Sequence, residues 1–249
     1  MIIVGITGPI GHGKTTFGNA LGDQAPAVCH FESSSIISEV ANAMHAQLRT
    51  IPDVQDLASI NQWLRALPPI IDKVVHASID FRALEILPQN LRDNPTEYQK
   101  LLLHIENLRS QPQLVSQEIT PENKNVYRPF LQWLGGYLPQ ISDPGLWYKE
   151  VVRRIQQAQQ DGCEFCIVGG VRYPIDADIL RGAGGKVIKV YRPNHLEEDT
   201  QDPTERERVA IQVDSTVISN GTVEDLQQCA SRIYPDLQNN QLKTEYKTA

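Results

Sequence analysis

The sequence predicts an α/β protein with a parallel sheet, and three observations lead there. Short apolar runs recur at Ile2–Thr7, Ala27–Phe31, Phe165–Gly169, Lys186–Tyr191 and Thr216–Ser219, each leading into a helical pattern or a loop approaching one. That βα alternation marks strands covered by helices. Second, the stretch Gly8-Pro-Ile-Gly-His-Gly-Lys-Thr-Thr16 follows the first run directly and fits G-x-x-x-x-G-K-[ST]. Third, the long stretch between Phe31 and Phe165 carries no convincing strand, and its apolar residues repeat every three to four positions.

Met1-Ile-Ile-Val-Gly-Ile-Thr7 reads as a buried strand, and Lys14-Thr-Thr-Phe-Gly-Asn-Ala-Leu-Gly22 as the start of a helix. A glycine loop between a strand and a helix N-terminus is the setting a phosphate-binding loop needs. Glycines at 8, 11 and 13 allow the tight turn and aim successive N–H groups inward. The helix dipole adds partial positive charge there, and Lys14 supplies a full one. Thr15 brings a hydroxyl to where Mg²⁺ would sit against a triphosphate. Gly8, Gly11, His12, Gly13, Lys14, Thr15 and Thr16 are therefore the expected nucleotide-binding residues, with Thr15 as the metal ligand. His12 can touch a phosphate or face solvent.

Within the long middle stretch, Ser38–Arg49, Asp53–Ala66, Pro69–Leu87 and Thr96–Arg109 are expected to be helical, divided by prolines at 52, 68, 69, 88, 95, 112, 121 and 129. It reads as a helical insertion over the C-terminal edge of the sheet, where ligands of such folds bind. Asp143-Pro-Gly-Leu-Trp-Tyr148 then opens a helix to about Gln160. Ala183-Gly-Gly185 ends the next helix, and Asn220-Gly221 turns into a last one over Val223–Ile233. From about Asp236 the chain is polar and is expected to fray.

Composition narrows the functional classes. The chain has 249 residues, 41% hydrophobic and 21% charged, enough for one large α/β domain or a domain carrying an insertion. A net charge of −7 argues against broad, non-specific nucleic-acid binding. No stretch is long enough to span a membrane, and the apolar N-terminus is too short for a signal peptide. Cysteines at 29, 163, 166 and 229 do not form a disulfide framework, and Cys163-Glu-Phe-Cys166 lacks a second pair for a zinc site. Ordinary strand cysteines and a reducing, cytoplasmic setting are expected. The histidines show no metal spacing, and Trp63, Trp133 and Tyr137 read as core.

Two arginines are candidates for a phosphoryl acceptor site; by spacing alone Arg128 with Gln132 reads first as a surface arginine and a glutamine packing the insertion, whereas Arg172 reads first as functional. Arg128 and Gln132, four apart, share a helix face and pair a phosphate-holding fork with an amide able to read a base edge. Arg172 follows the third strand at the carboxyl edge of the sheet, where a cation neutralises developing charge. At this point the residues resemble a family. The ordered motifs are Arg128-Pro-Phe-Leu-Gln-Trp-Leu-Gly135, Asp143-Pro-x-x-Trp147, Gly170-Val-Arg-Tyr-Pro174 with Asp176, Gly184-Gly185, Arg192-Pro193, Asp214-x-x-x-Ile218-x-Asn-Gly221 and Asp225-Leu226. With the glycine loop they resemble the phage-type deoxynucleoside monophosphate kinases, relatives of dephospho-CoA kinase. The resemblance covers the loop and nearly all of 128–226.

It implies transfer of the ATP γ-phosphoryl group to the 5′-phosphate of a (deoxy)nucleotide with Mg²⁺, on an α/β, three-layer P-loop NTPase fold. That fold has a five-stranded parallel sheet, a large helical insertion and a lid segment. The implied organisation is a kinase core of 1–37 and 126–235, a lid at about 192–212, a helical insertion over 38–125 in the acceptor region, and a polar tail over 236–249. Lys14, Arg172, Arg206 and Arg208 are the implied catalytic residues, and Arg192 joins them in the lid on the nucleotide phosphates. Arg128, Gln132, Trp147, Arg172 and Asp176 are implied to bind the acceptor. A small-molecule nucleotide is the implied partner, and a homodimer is compatible.

Two departures from the family bear on the acceptor. Gly170 stands where the family usually has aspartate, and Glu32-Ser-Ser-Ser35 follows the second strand without the usual lysine. Asp176 either compensates or serves as a helix N-terminal charge. One rival is a P-loop kinase acting on a hydroxymethylated pyrimidine in phage DNA, which makes DNA the partner. Another is a nucleotide-binding regulatory module. A GTPase switch needs Asn-Lys-x-Asp, and Asn123-Lys-Asn-Val126 lacks the aspartate.

Overall fold

A computed structural model describes residues 1–48, 50–53, 55–84, 95–110, 118–120, 122–193, 195, 207–219 and 222–247. In chain order its elements are β1 (Ile2–Thr7), α1 (Lys14–Gly22), β2 (Val28–Glu32), α2 (Ser33–Ala43), α3 (His45–Leu48), α4 (Leu57–Arg65), α5 (Pro68–Ile71) and α6 (Pro95–Arg109). A 3₁₀ turn at Lys124–Tyr127 leads to α7 (Arg128–Gln132), a π-helical turn at Trp133–Tyr137, α8 (Leu138–Ile141) and α9 (Leu146–Gln160). Then follow β3 (Phe165–Gly169), α10 (Pro174–Gly182), β4 (Lys186–Tyr191), β5 (Ser215–Ile218), α11 (Val223–Gln238) and β6 (Glu245–Lys247). The chain divides into two compact units, Met1–Ser33 with Val151–Ala249, and Ser34–Glu150.

The first unit is an α/β sheet whose strands run only parallel, in the order β2-β3-β1-β4-β5-β6. Central strands buried on both faces need helices above and below. On one face, Phe17, Ala20 and Leu21 of α1 and Leu226, Cys229, Ala230 and Ile233 of α11 pack with Val4, Ile6, Ile167, Ile188 and Val190. On the other, a Cβ at Gly5 would lie 2.8 Å from Leu180 Cδ1 of α10, so that side chain packs directly on the glycine. Fully burying each such Val, Ile, Leu or Phe contributes about 1.5–3 kcal/mol. α11 starts at a capping box, in which Asp225 N–H donates to the Thr222 hydroxyl and Thr222 N–H to the Asp225 carboxylate (3.3 and 2.7 Å).

Among the described residues the sheet has six strands, not the five expected, and the segment expected to fray supplies the sixth. α11 runs through Pro235 to Gln238, beyond its expected end at Ile233. β6 then pairs with β5 through Thr216↔Glu245, Val217↔Tyr246 and Ile218↔Lys247. Tyr246 is the reason: it is buried in the α1/α11 core. Its hydroxyl donates to Asp236 (2.6 Å) and accepts from Lys243 N–H (3.0 Å), so the phenol enters the core with its polar end satisfied. The Asn220-Gly221 turn lies outside the described residues.

The second unit is helical. Its buried residues include Ile36, Val40, Met44, Ile60, Trp63, Leu64, Trp133 and Tyr137, so the three aromatics expected in the core are there. Asp56 caps α4 by accepting from Ala58 N–H (3.0 Å). The single helix expected over Pro69–Leu87 is a correction for its described part: Pro68–Ile71 and residues 82–84 are helical, the chain turns away between them, and 85–87 lie outside the described residues. Buried carboxylates compete for its backbone. Glu150, fully buried, accepts from His76 N–H and Ala77 N–H (2.8 and 2.9 Å), and Asp143 from Asp80 N–H (3.4 Å). Charge-assisted bonds of this kind are stronger than the neutral helical ones they replace. Among the described residues no helix is long and apolar enough to cross a membrane.

Candidate functional site

The carboxyl ends of β1 and β3 are tied together: Thr7 Oγ1 donates to the Val171 carbonyl (2.8 Å) and Val171 N–H to the Ile6 carbonyl (3.1 Å). The glycine loop springs from that tie. Gly8, Gly11 and Gly13 have φ of 142°, 77° and 87°, conformations that L side chains rarely adopt. A Cβ at Gly8 would fall 2.2 Å from the Val190 carbonyl oxygen, so only glycine lets the chain pass β4 there.

Gly13 caps α1 with no side-chain hydrogen bond from the cap. The first N–H groups of α1 therefore meet no acceptor from the cap side chain, which suits them to an anion. Lys14 is the first helical residue and donates through Nζ to the Pro9 carbonyl (2.7 Å), so its ammonium folds back over the loop. Thr15 is exposed and Thr16 half-buried on the first turn.

His12 does not face solvent. It is fully buried, and Nδ1 accepts from Arg192 N–H (2.9 Å), leaving the proton of the neutral ring on Nε2. Its ring stacks on Tyr191 (centroids 5.5 Å apart) and meets the edge of His195 (5.2 Å). The imidazole thus pins the loop to the end of β4.

Arg172 is exposed immediately beyond β3, at the carboxyl edge of the sheet where the sequence put it. Asp176 takes the second of its two alternatives, a charge at a helix N-terminus. It is 5% exposed, and its carboxylate accepts from Arg172 N–H (3.1 Å) and Tyr173 N–H (2.9 Å), closing the start of α10 rather than meeting an acceptor. Burial pushes this carboxyl up to about 7, against those two donors and the nearby Arg172 charge. Asp214, another residue of the ordered motifs, is also structural. It accepts from Val187 N–H (2.8 Å) and pairs with Arg181 (3.4 Å), joining β4, α10 and the start of β5.

In the helical unit, Arg128 and Gln132 are both exposed on α7 and one turn apart, as the spacing requires. Trp147 is instead buried at 5% exposure, its Nε1–H donating to the Gly135 carbonyl (3.1 Å) inside the π-helical turn. It packs the unit and offers no open stacking face. Of the lid arginines, Arg192 is half-buried at the end of β4 and Arg208 is 7% exposed, a packed residue rather than a presented one. Arg206 lies outside the described residues, as does most of 194–206.

The cysteines behave as core residues. Cys29 and Cys166 are cross-strand partners, and Cys163 and Cys166 are buried. Burial raises the Cys163 thiol to about 11 and that of Cys166 above its ordinary value, which keeps both protonated and unreactive.

The Thr15 hydroxyl, exposed on the first turn of α1, is of a kind that suits a hard cation such as Mg²⁺. Among the described residues no group of three or more His, Cys, Asp or Glu side chains is arranged to hold a metal alone. A cation here would draw most of its ligands from water and phosphate, as Mg²⁺ does. Glu32 was not among the expected site residues, because its relation to β3 depends on pairing between strands far apart in sequence (Glu32↔Gly169). Compared with known proteins, the chain matches no family model, and no curated protein is significantly similar to it in sequence.

Proposed function

We propose that this chain transfers the γ-phosphoryl group of ATP to the 5′-phosphate of a (deoxy)nucleoside monophosphate, giving the diphosphate. The reading takes the sheet and its glycine loop as a three-layer P-loop fold with a lid over about 192–212. One observation carries it: a loop with three positive-φ glycines joins a buried strand to a helix whose first residues are Lys14 and Thr15. Backbone N–H groups and an ammonium converging at a helix N-terminus suit a polyphosphate better than any other common ligand.

On this reading the loop amides and the first turn of α1 hold the β- and γ-phosphates, and Lys14 leaves Pro9 to follow the charge that develops between them. Thr15 would hold the metal through its hydroxyl. Bound Mg²⁺ supplies neutralisation of the phosphate oxygens and a fixed geometry for the chain's own groups to work against. Arg172 neutralises charge on the acceptor side, and Arg128 with Gln132 grips the acceptor phosphate and base. Phosphoryl transfer needs little covalent help, so alignment and charge account for most of the rate. Arg192, tied by its N–H to His12 of the loop, is suited to carry movement of the lid to the phosphates.

The test is ADP release by the purified chain with each deoxy- and ribonucleoside monophosphate, 5-substituted pyrimidine nucleotides and hydroxymethylated duplex DNA. Turnover with a mononucleotide supports the proposal. Turnover only with DNA replaces it by the base-kinase reading, and saturable nucleotide binding without any turnover replaces it by a regulatory module.

A further inference from the structure

The carboxyl edge of the sheet holds one acidic side chain that the proposed chemistry has not used. Glu32 is the last residue of β2 and pairs with Gly169, the last residue of β3, just as His30 pairs with Ile167 two residues earlier. Side chains two apart along a strand point to the same face. The face is the one α1 covers. A Cβ at Gly22 would lie 3.1 Å from both His30 Nε2 and Ile167 Cδ1, and one at Gly18 would lie 2.9 Å from Ile6 Cδ1.

These contacts give the height of Glu32 relative to α1. Two strand residues rise about 6.6 Å, and four helical residues about 6 Å. From the His30 row to the Glu32 row is therefore about the climb from Gly22 to Gly18. Thr15 stands roughly one further turn above, about 4.5 Å.

The direction of the Glu32 side chain is set by what β3 lacks. A Cβ at Gly169 would fall 2.8 Å from Glu32 Oε1 and 3.1 Å from Cγ. The carboxylate thus lies across β3 toward β1, over the bare backbone of Gly169, instead of turning out at the sheet edge. β1 is about 4.8 Å beyond β3, and the glycine loop continues from it.

We propose that Glu32 is the metal-positioning residue of this site, its carboxylate orienting the water shell of the Mg²⁺ that accompanies the nucleotide, and that Gly169 keeps the path of that carboxylate clear. The inference rests on the nucleotide-binding reading above. A carboxylate acting through metal-bound water has no part in holding a metal-free triphosphate, and this separates the two ideas experimentally. Outer-shell groups of this kind are worth roughly tenfold to a hundredfold in metal affinity.

The experiment is calorimetric titration of ATP into the full chain, first with EDTA and then across a Mg²⁺ series, for wild type, Glu32→Gln, Glu32→Asp and Gly169→Ala. Thermal unfolding of each confirms that it is folded. The inference expects Glu32→Gln to bind metal-free ATP as wild type does, while its half-saturating Mg²⁺ rises roughly tenfold to a hundredfold. Glu32→Asp, which keeps the charge, should recover most of that loss. Gly169→Ala keeps the carboxylate but fills the space it crosses, and should raise the Mg²⁺ midpoint too. Mn²⁺ bound in the ternary complex, read by electron paramagnetic resonance, should show an altered spectrum in Glu32→Gln. Equal Mg²⁺ midpoints in wild type and Glu32→Gln overturn the inference and leave nucleotide binding intact. A changed affinity for metal-free ATP also overturns it, because the carboxylate would then act on the phosphates or the loop. If wild type binds no ATP under either condition, the nucleotide-binding reading fails and the inference falls with it.

Discussion

Replacing Gly8 by alanine probes the glycine loop more sharply than any side-chain deletion. The added Cβ would fall 2.2 Å from the Val190 carbonyl oxygen, with its carbonyl carbon at 3.2 Å, and the obstacle is backbone that cannot swing aside. Gly8 also sits at φ 142°, where an L residue is strained. Overpacking costs about 1–3 kcal/mol and a disallowed backbone region about 1–3 kcal/mol. The reduced freedom of the unfolded alanine chain returns at most about 1 kcal/mol. A net loss of about 1–6 kcal/mol follows, or roughly 2–24 °C in Tm for a protein of this size. Gly182→Ala is the matched control. It ends α10, its Cβ would meet nothing within 4 Å, and it should be neutral or stabilising by up to about 1 kcal/mol. Thermal unfolding followed by circular dichroism reads both. A Gly8→Ala protein that melts with wild type would mean the loop does not pass β4 where described, and the reasoning about its glycines would be wrong.

Other predictions follow from the same contacts. Asp176 is raised to about 7 in the folded protein from an ordinary 3.8. Its contribution is full below about pH 4 and lost as pH climbs to about 7, because the folded chain keeps a proton the unfolded chain has released. Relative to wild type, Asp176→Asn should therefore gain about 1.4 kcal/mol per pH unit across that window in urea unfolding; a pH-independent difference contradicts this. Tyr246→Ala should cost about 3–5 kcal/mol by emptying a core position and leaving Asp236 without its phenol; a loss under about 1 kcal/mol would mean β6 is not docked in solution. Arg172→Ala should lower kcat/KM for the acceptor by roughly a hundredfold or more with ATP affinity unchanged, and an unaltered kcat/KM would remove Arg172 from the acceptor side.

What the sequence disclosed follows the range of the interactions involved. The strands β1 to β5 were legible because each is a short apolar run closed by turn residues, and the glycine loop because its signal is confined to nine residues, Gly8 to Thr16. β6 was not. Glu245-Tyr-Lys247 has one apolar side chain between two exposed charges, and it becomes a strand only because Tyr246 finds the core and Asp236 finds its hydroxyl. The chain after Pro68-Pro69 looked helical through Leu87 since nothing local announces that Glu150, more than seventy positions away, takes the N–H groups of His76 and Ala77.

At the candidate site the pattern repeats. The positions of Arg172, just beyond β3, and of Lys14, first in α1, were legible from their local motifs. Asp176 and Trp147 were read toward the acceptor through the family resemblance, whereas a backbone cap and a carbonyl bond inside the helical unit occupy them. His12 offered two alternatives in sequence, a phosphate or solvent, and its burial against Arg192 N–H, 180 positions along the chain, sets solvent aside. Glu32 needed the β2–β3 register before its carboxylate could be related to the loop at all.

The central claim is that the loop from Gly8 to Lys14 grips a polyphosphate. Isothermal titration of ATP with Mg²⁺ into wild type and Lys14→Ala tests it most directly. The account predicts saturable, one-site binding by wild type that weakens at least tenfold in a Lys14→Ala protein of unchanged Tm, in line with losing a charge-assisted contact to phosphate. Absence of saturable binding by wild type, or equal affinity in the variant, would contradict it.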